Sequence, residues 1–159
     1  MRIVLISAAL ALAADQASKL AILHALDLES RGVLDVLPPL LTFRMGWNTG
    51  INFGLFGEGG AASRWIMIAI ALAISAMVLA WVREPGTSRL ARVSAGLLVG
   101  GALGNVIDRV LYGAVVDFLN MSCCGIDNPY VFNIADIAIF AGAIGLALFG
   151  GGRKGADGT

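Results

Sequence analysis

The sequence predicts an all-α membrane protein in which four transmembrane helices carry a small extracytoplasmic β-cradle. Of its 159 residues, 58% are hydrophobic and only 14% are charged, whereas a soluble domain carries about 25% charged residues. The mean hydropathy is +0.83, and four apolar runs approach the length needed to cross about 30 Å of hydrocarbon. The 21 glycines suit close helix–helix contact in lipid.

The first apolar run covers residues 3–26. Arg2 precedes it, and Ala11-Leu12-Ala13 has the A-x-A pattern of a cleavable secretory signal peptide. The apolar character resumes after Lys19, which favours an uncleaved transmembrane span. Asp15 and Lys19 lie at i,i+4, so they share one helical face with the acid before the base. Two interpretations stay open: an ion pair that lets the helix insert, or a group that orients a site.

Residues 27–64 form a long connection of mixed polarity. Pro38-Pro39 breaks any helix, and residues 40–45 have the β-branched and aromatic pattern of a short strand. Residues 47–57 alternate aromatic side chains with Asn and Gly, a pattern that favours a segment at the headgroup level of the membrane. This connection is therefore predicted to be a cradle or lid on the membrane surface.

The remaining spans are predicted at residues 65–82, 93–111 and 131–149, within a single membrane-embedded domain of residues 1–152 and ahead of a disordered tail, 153–159. Five basic residues lie in the loop 83–92 and the tail, and none lies in the loop 112–130. The positive-inside rule then places both termini in the cytoplasm.

Polar residues of the last two spans converge at one level in this topology. Asn105, Asp117 and Asp136 all fall on the outer side of the membrane, near Asp15. Ionisable groups at membrane depth are costly, so they indicate a functional site. Asp108 has candidate partners in the adjacent Arg109 and in Asn105 at i−3, and it is predicted to be structural.

Asp117 and Asp136 are the better catalytic pair. Two carboxylates in a partly dry site cannot both ionise cheaply, so they share a proton and supply a general base and a general acid. Three functions fit the cluster: an intramembrane aspartyl hydrolase, a proton- or cation-coupled carrier, and a purely structural polar cluster. The small number of spans, without inverted halves, disfavours the carrier.

Other chemistries have weaker support in the sequence. Cys123 and Cys124 are adjacent, a spacing that bridges only with strain and does not match a zinc motif, and His24 is the only histidine. Ser18 neighbours Lys19, but adjacent residues of a helix do not face each other as a Ser/Lys pair requires. No metal site is predicted. The zero formal net charge argues against a nucleic acid partner.

Five motifs in order along the chain resemble those of the lipoprotein signal peptidase (signal peptidase II) family. They are Asp15-Gln-Ala-Ser18-Lys19, Asn48-Thr-Gly50 with Phe53-Gly54, Gly100-Gly-Ala-Leu-Gly104-Asn105-Val-Ile-Asp108-Arg109, Val115-Val-Asp117-Phe118 and Phe132-Asn133-Ile-Ala-Asp136. Together they cover nearly the whole chain.

The resemblance implies a metal-independent aspartyl endopeptidase of the bacterial inner membrane with no cofactor. It also implies that residues 27–64 supply a surface helix beside the β-cradle. Its substrates would be diacylglyceryl-modified prolipoproteins cleaved before the lipidated cysteine. Its other partners would be membrane lipids and globomycin-type inhibitors, and the protein would be a monomer with its site near the periplasmic face. Asp117 and Asp136 would be catalytic, and the supporting or substrate-binding residues would be Asp15, Lys19, Asn48, Gly50, Gly104, Asn105, Asp108, Arg109 and Asn133.

Overall fold

The computed structural model describes residues 1–50, 61–125 and 128–151. In chain order the helices are α1 (Arg2–Leu20), which continues as a π-helical turn over Ala21–Ala25, α2 (Leu28–Arg31), α3 (Ala61–Trp81), α4 (Arg89–Tyr112) and α5 (Ile134–Phe149). The strands are β1 (Val33–Leu37), β2 (Leu41–Asn48) and β3 (Val115–Met121). The predicted Phe53-Gly54 motif, the part of the predicted surface segment from residue 51 onward, and the tail lie outside the described residues.

Among the described residues, three helices are long and apolar enough to cross a membrane: Arg2–Ala25, Ala62–Trp81 and Arg89–Tyr112. The fourth, α5, has only 16 residues. Helix α5 begins at Ile134, after the first residues of the span predicted at 131–149, because Asn133 caps the helix and holds residues 131–133 outside it. The span predicted at 93–111 started too late, because the hydroxyl of Ser88 accepts a hydrogen bond from the Ala91 N–H and starts α4 at Arg89.

Helix α4 lies at the centre of the helical part and packs against α1, α3 and α5. Its glycines make these contacts close. A Cβ at Gly100 would meet the backbone of Ala8 in α1, and one at Gly101 would meet the carbonyl of Ala135 in α5. The prediction that glycines bring this helix near its neighbours is confirmed.

The three strands form one antiparallel sheet in the order β1-β2-β3. The strand predicted at residues 40–45 is confirmed as β2, whereas β1 and β3 were not predicted. The sheet is fixed to the helices by an apolar cluster in which Ile22, Leu28 and Phe118 are buried. Phe43 meets Phe118 edge to face, with ring centroids 5.7 Å apart. The sheet therefore holds β3, and Asp117 within it, against the end of α1.

Candidate active site

The amino terminus of α5 is the first structural feature of the site. Asn133 is the N-cap, and its side-chain oxygen accepts from the Asp136 N–H at 2.9 Å while Asp136 Oδ2 accepts from the Asn133 N–H at 3.3 Å. Asp15 Oδ1 accepts from the Ala135 N–H at 2.9 Å. Two helix-terminal N–H groups that no helical carbonyl can reach are thus satisfied. Asp136 lies in the first turn of α5, nearer the helix end than the predicted span implied.

A buried ion cluster lies directly behind this helix terminus. Lys19 Nζ is 2.8 Å from Asp15 Oδ2 and 2.7 Å from Asp108 Oδ2, and all three side chains are almost completely buried. Gln16 Nε2 donates to both carboxylates, at 3.1 Å to Asp15 and 3.0 Å to Asp108. Asp108 Oδ2 also accepts from the N–H of Val116 in β3 at 3.1 Å. The cluster therefore ties α1, α4, β3 and α5 together at one point.

The geometry of this cluster agrees with both interpretations of Asp15 and Lys19 and corrects one prediction. The two residues do form an ion pair, and the pair also orients the terminus of α5 through Asp15. The predicted pairing of Asp108 with Arg109 is wrong, because neighbours on a helix point in different directions. Asp108 faces Lys19 instead, whereas Arg109 Nη1 donates to the Asn105 carbonyl at 3.3 Å. The structural role predicted for Asp108 fits this position.

Asp117 and Asp136 are joined by a network of amides in front of the cluster. Asn133 Nδ2 donates to Asp117 Oδ1 at 2.6 Å and to Asn105 Oδ1 at 3.2 Å. Asn105 Nδ2 donates to Asp136 Oδ1 at 2.9 Å, and Lys19 Nζ lies 3.3 Å from Asn105 Oδ1. Each side chain of the network is therefore oriented by a hydrogen bond to another side chain of the site.

Asn48, at the end of β2, approaches Asp117 from the sheet. Its Nδ2 donates to Asp117 Oδ2 at 3.0 Å, and its Oδ1 accepts from the Gly50 N–H at 3.0 Å. Gly50 has φ of +98°, a conformation in which a side chain would be strained. The turn at Gly50 thus fixes the Asn48 amide with its donor toward Asp117.

Gly104 makes room for the carboxylate of Asp15. A Cβ at this position would meet Asp15 Oδ2, and it would lie 3.2 Å from Asp15 Cγ and 3.6 Å from Ala135 Cβ. The absence of a side chain at Gly104 therefore allows α1, α4 and α5 to pack around the Asp15 carboxylate. This is how Gly104 would support the site.

An apolar groove leads away from the network between α3, α4 and α5. Its volume is about 420 Å³, and its lining is aliphatic except for Asn105 and Arg109. Arg109 Nε is buried without a hydrogen-bond partner in the described part of the chain. An unpaired buried donor of this kind is costly.

The environment of Asp117, which lies in the sheet outside the helices, perturbs its titration. Burial raises the pKa of Asp117 to about 6, and the negative charge of Asp136 adds to the rise. The hydrogen bonds from Asn48 and Asn133 and the charge of Lys19 act in the opposite direction. A carboxyl group with these features holds a proton in the mildly acidic range and can act as a general acid.

The structure thus brings all the sequence-predicted site residues to one region where α1, α4, α5, β2 and β3 meet. Gln16 belongs to the same region and was missed. The sequence held a weak signal for Gln16, because it is a polar amide in an apolar span and lies between Asp15 and Lys19, which were predicted to pair. The N–H groups of Ala135 and Val116 were also missed, because backbone donors have no sequence signature.

The family model of signal peptidase (SPase) II matches residues 7–150. The lipoprotein signal peptidase of Methylorubrum extorquens (strain PA1) is 47% identical over 137 residues, which cover 86% of this chain and 78% of that protein. The lipoprotein signal peptidase of Rhodopseudomonas palustris (strain TIE-1) is 42% identical over 150 residues, covering 92% and 90%.

Two solved bacterial membrane enzymes share the fold. One has a TM-score of 0.75 at 27% identity and covers 98% of this chain and 93% of its own. The other has a TM-score of 0.77 at 28% identity and covers 91% and 90%. From the family match over nearly its whole length, the chain belongs to the signal peptidase II family and is a membrane-embedded protease.

Proposed function

We propose that the protein is an aspartyl endopeptidase that removes signal peptides from diacylglyceryl-modified prolipoproteins, cutting before the lipidated cysteine. The observation that carries this proposal is the amide network on Asp117 and Asp136. Asn133 contacts both residues, through its side chain to Asp117 and as the cap of Asp136. A rigidly held carboxylate pair that shares a proton is what aspartyl hydrolysis needs.

In the proposed mechanism the two aspartates have different roles. Asp136 is the base that takes a proton from water, and the hydroxide formed attacks the carbonyl carbon of the scissile peptide. Asp117, whose burial raises its pKa to about 6, holds the shared proton and gives it to the carbonyl oxygen. Collapse of the tetrahedral gem-diol intermediate breaks the C–N bond, and the nitrogen takes a proton from Asp136 as it leaves. One gem-diol hydroxyl returns its proton to Asp117 as its oxygen becomes the carbonyl oxygen of the new carboxyl group. This cycle returns both residues to their starting state.

The groove and its two polar residues support a binding mode for the substrate. An apolar signal helix fits the aliphatic lining between α3, α4 and α5. Arg109 and Asn105 lie in the wall of the same groove, so the guanidinium of Arg109 can donate to substrate carbonyl oxygens. Helices α3 and α5 both pack on α4 and are separated from each other by the groove. This arrangement leaves the substrate an opening toward lipid.

The proposed topology has four spans in the bacterial inner membrane, with both termini cytoplasmic and the site near the periplasmic face. The 16 residues of α5 rise about 24 Å at 1.5 Å per residue. A helix of this length is a few Å shorter than the hydrocarbon layer of about 30 Å, and local thinning of the bilayer can accommodate the difference. Membrane lipids surround the monomer, and globomycin-type inhibitors would occupy the substrate cleft.

The proposal is tested with the purified protein and a synthetic prolipoprotein peptide. Two versions of the peptide would differ only in the diacylglyceryl group on the cysteine, and mass spectrometry would locate the cut. Cleavage immediately before the lipidated cysteine, with the unmodified peptide left intact, is the expected result. A cut elsewhere, or equal cleavage of both peptides, would refute the proposed specificity.

A further inference from the structure

A second cleft lies on the sheet side of Asp117 and shares no lining residue with the groove between the helices. It encloses about 300 Å³ between residues 46–48 of β2, Asp117 and residues 129–131. Such a volume is at the lower end of the range of ligand pockets, about 300–1,000 Å³. The cleft is thus large enough for a short extended stretch of peptide with small side chains.

Residues 129–131 form the outer wall of this cleft and approach β2 closely. A Cβ at Gly46 would lie 2.5 Å from Val131 Cγ2 and 3.5 Å from the Asp117 carbonyl oxygen. Any larger residue at position 46 would therefore push the wall outward. The side chain of Tyr130 is 77% exposed, so its ring stands at the mouth of the cleft and does not contribute to the core.

The wall is pinned on both sides. Asn120, buried at the end of β3, donates from Nδ2 to the carbonyl oxygens of Asn128 at 2.7 Å and Tyr130 at 2.8 Å. Asn128 Oδ1 in turn accepts from the Tyr130 N–H at 3.0 Å. On the other side, Phe132 pairs with Leu119 through N–H···O bonds of 3.0 and 2.8 Å. Tyr130 and Val131 are therefore held at a fixed distance from Asp117.

Both spaces adjoin the amide network: Asn105, which donates to Asp136, lines the groove, and Asp117 lines the cleft. The groove between the helices is apolar and suits the signal helix, so the cleft on the sheet side suits the chain that continues beyond the scissile bond. We infer that this cleft is the subsite for the residue following the lipidated cysteine, that Tyr130 is a specificity-determining residue, and that Asn120 is the positioning residue that holds it. The inference rests on the proposed function. It predicts a preference for small residues at that position of the substrate.

The test compares two lipidated peptides that differ only in the residue after the cysteine, Ser or Phe. The unaltered enzyme should cleave the Ser peptide with the higher kcat/KM. Tyr130→Ala should raise the Phe-to-Ser ratio of kcat/KM about tenfold, the lower limit of the discrimination that a single misfitting methylene produces. Because Tyr130 is exposed, this variant should fold normally. Cys123→Ser, an exposed change in the same loop, is the matched control and should leave the ratio unchanged.

A second variant tests the positioning role of Asn120. Asn120→Asp keeps the shape but replaces both donors with an oxygen facing two carbonyl oxygens, so it should raise KM and shift the ratio in the same direction as Tyr130→Ala. If Asn120→Asp does not fold, the Tyr130→Ala ratio decides. An unchanged ratio in Tyr130→Ala, or equal cleavage of both peptides by the unaltered enzyme, would overturn the subsite while leaving the proposed function intact. Cleavage of neither peptide would overturn both.

Discussion

The hydrogen bond from Asn48 to Asp117 should set the pH above which the enzyme loses activity. Asn48 Nδ2 lies 3.0 Å from Asp117 Oδ2 and stabilises the ionised form of that carboxyl group. In the proposed mechanism Asp117 must hold a proton. Its pKa of about 6 therefore sets the pH at which kcat/KM begins to fall, the alkaline limb of the pH profile. Removing the donor in Asn48→Ala destabilises the carboxylate, so the pKa of Asp117 rises further and the limb moves to higher pH.

The size of the shift follows from the energy of the lost contact. A hydrogen bond to a charged group contributes about 1.5–3 kcal/mol, and about 1.4 kcal/mol corresponds to one pKa unit. Asn48 is exposed, so water replaces part of the lost bond and the lower value applies. The limb should move from about pH 6 to about pH 7, which is one unit. At pH 7 the variant would then keep more of its maximal activity than the unaltered enzyme.

The assay is the pH dependence of kcat/KM with the lipidated peptide, which reports groups of the free enzyme. Thr42→Ala is the matched control, because its hydroxyl lies on the same strand and donates to Asp35, away from the site. The control should leave the limb in place. An alkaline limb that stays fixed or moves to lower pH in Asn48→Ala would refute the assignment of the proton to Asp117.

Two further substitutions test the parts of the site that support the pair. Lys19→Met leaves the buried carboxylates of Asp15 and Asp108 uncompensated and should cost about 3–5 kcal/mol, seen as a large fall in Tm in detergent; an unchanged Tm with lost activity would contradict this structural role. Gly104→Ala forces a methyl group against the Asp15 carboxylate and should cost about 1–3 kcal/mol together with most of the activity. Gly151→Ala, where a Cβ would meet nothing within 4 Å, is its control, and equal melting of the two variants would contradict the steric role.

The long helices were predictable because length and apolar content alone define them. Spans at residues 3–26, 65–82 and 93–111 correspond to α1, α3 and α4 within a few residues. The fourth was harder, because the capping box at Asn133 decides where α5 begins and the run of apolar residues does not show it. The number of membrane spans therefore stays a prediction.

The sheet was only partly predictable. The alternation of apolar and polar residues at 40–45 indicated β2. Strand β3 is buried along most of its length and lacks this alternation, so it was interpreted as part of a loop. Its strand character comes from pairing with β2 and from Asp108, which accepts from the Val116 N–H. Both are tertiary contacts between distant parts of the chain.

The candidate site was predicted more fully than the fold around it. Polar residues in apolar spans are conspicuous, so the aspartates and asparagines could be identified without a structure. Their partners could not be, as the error over Asp108 and Arg109 illustrates. Adjacent charges suggest a pair in sequence, but the direction of each side chain on the helix assigns Asp108 to Lys19. Asn120 gave no signal, because its role is to hold backbone carbonyls.

The most direct test of the central claim, a catalytic pair formed by Asp117 and Asp136, is the single-turnover rate of the two Asn variants on a lipidated prolipoprotein peptide. Asp117→Asn and Asp136→Asn should each reduce the rate by at least about 10²–10⁴-fold, the range expected for loss of a general acid or base. Each variant should still insert in the membrane and show a cooperative melt. Cleavage at a rate near that of the unaltered enzyme by either folded variant would contradict the claim.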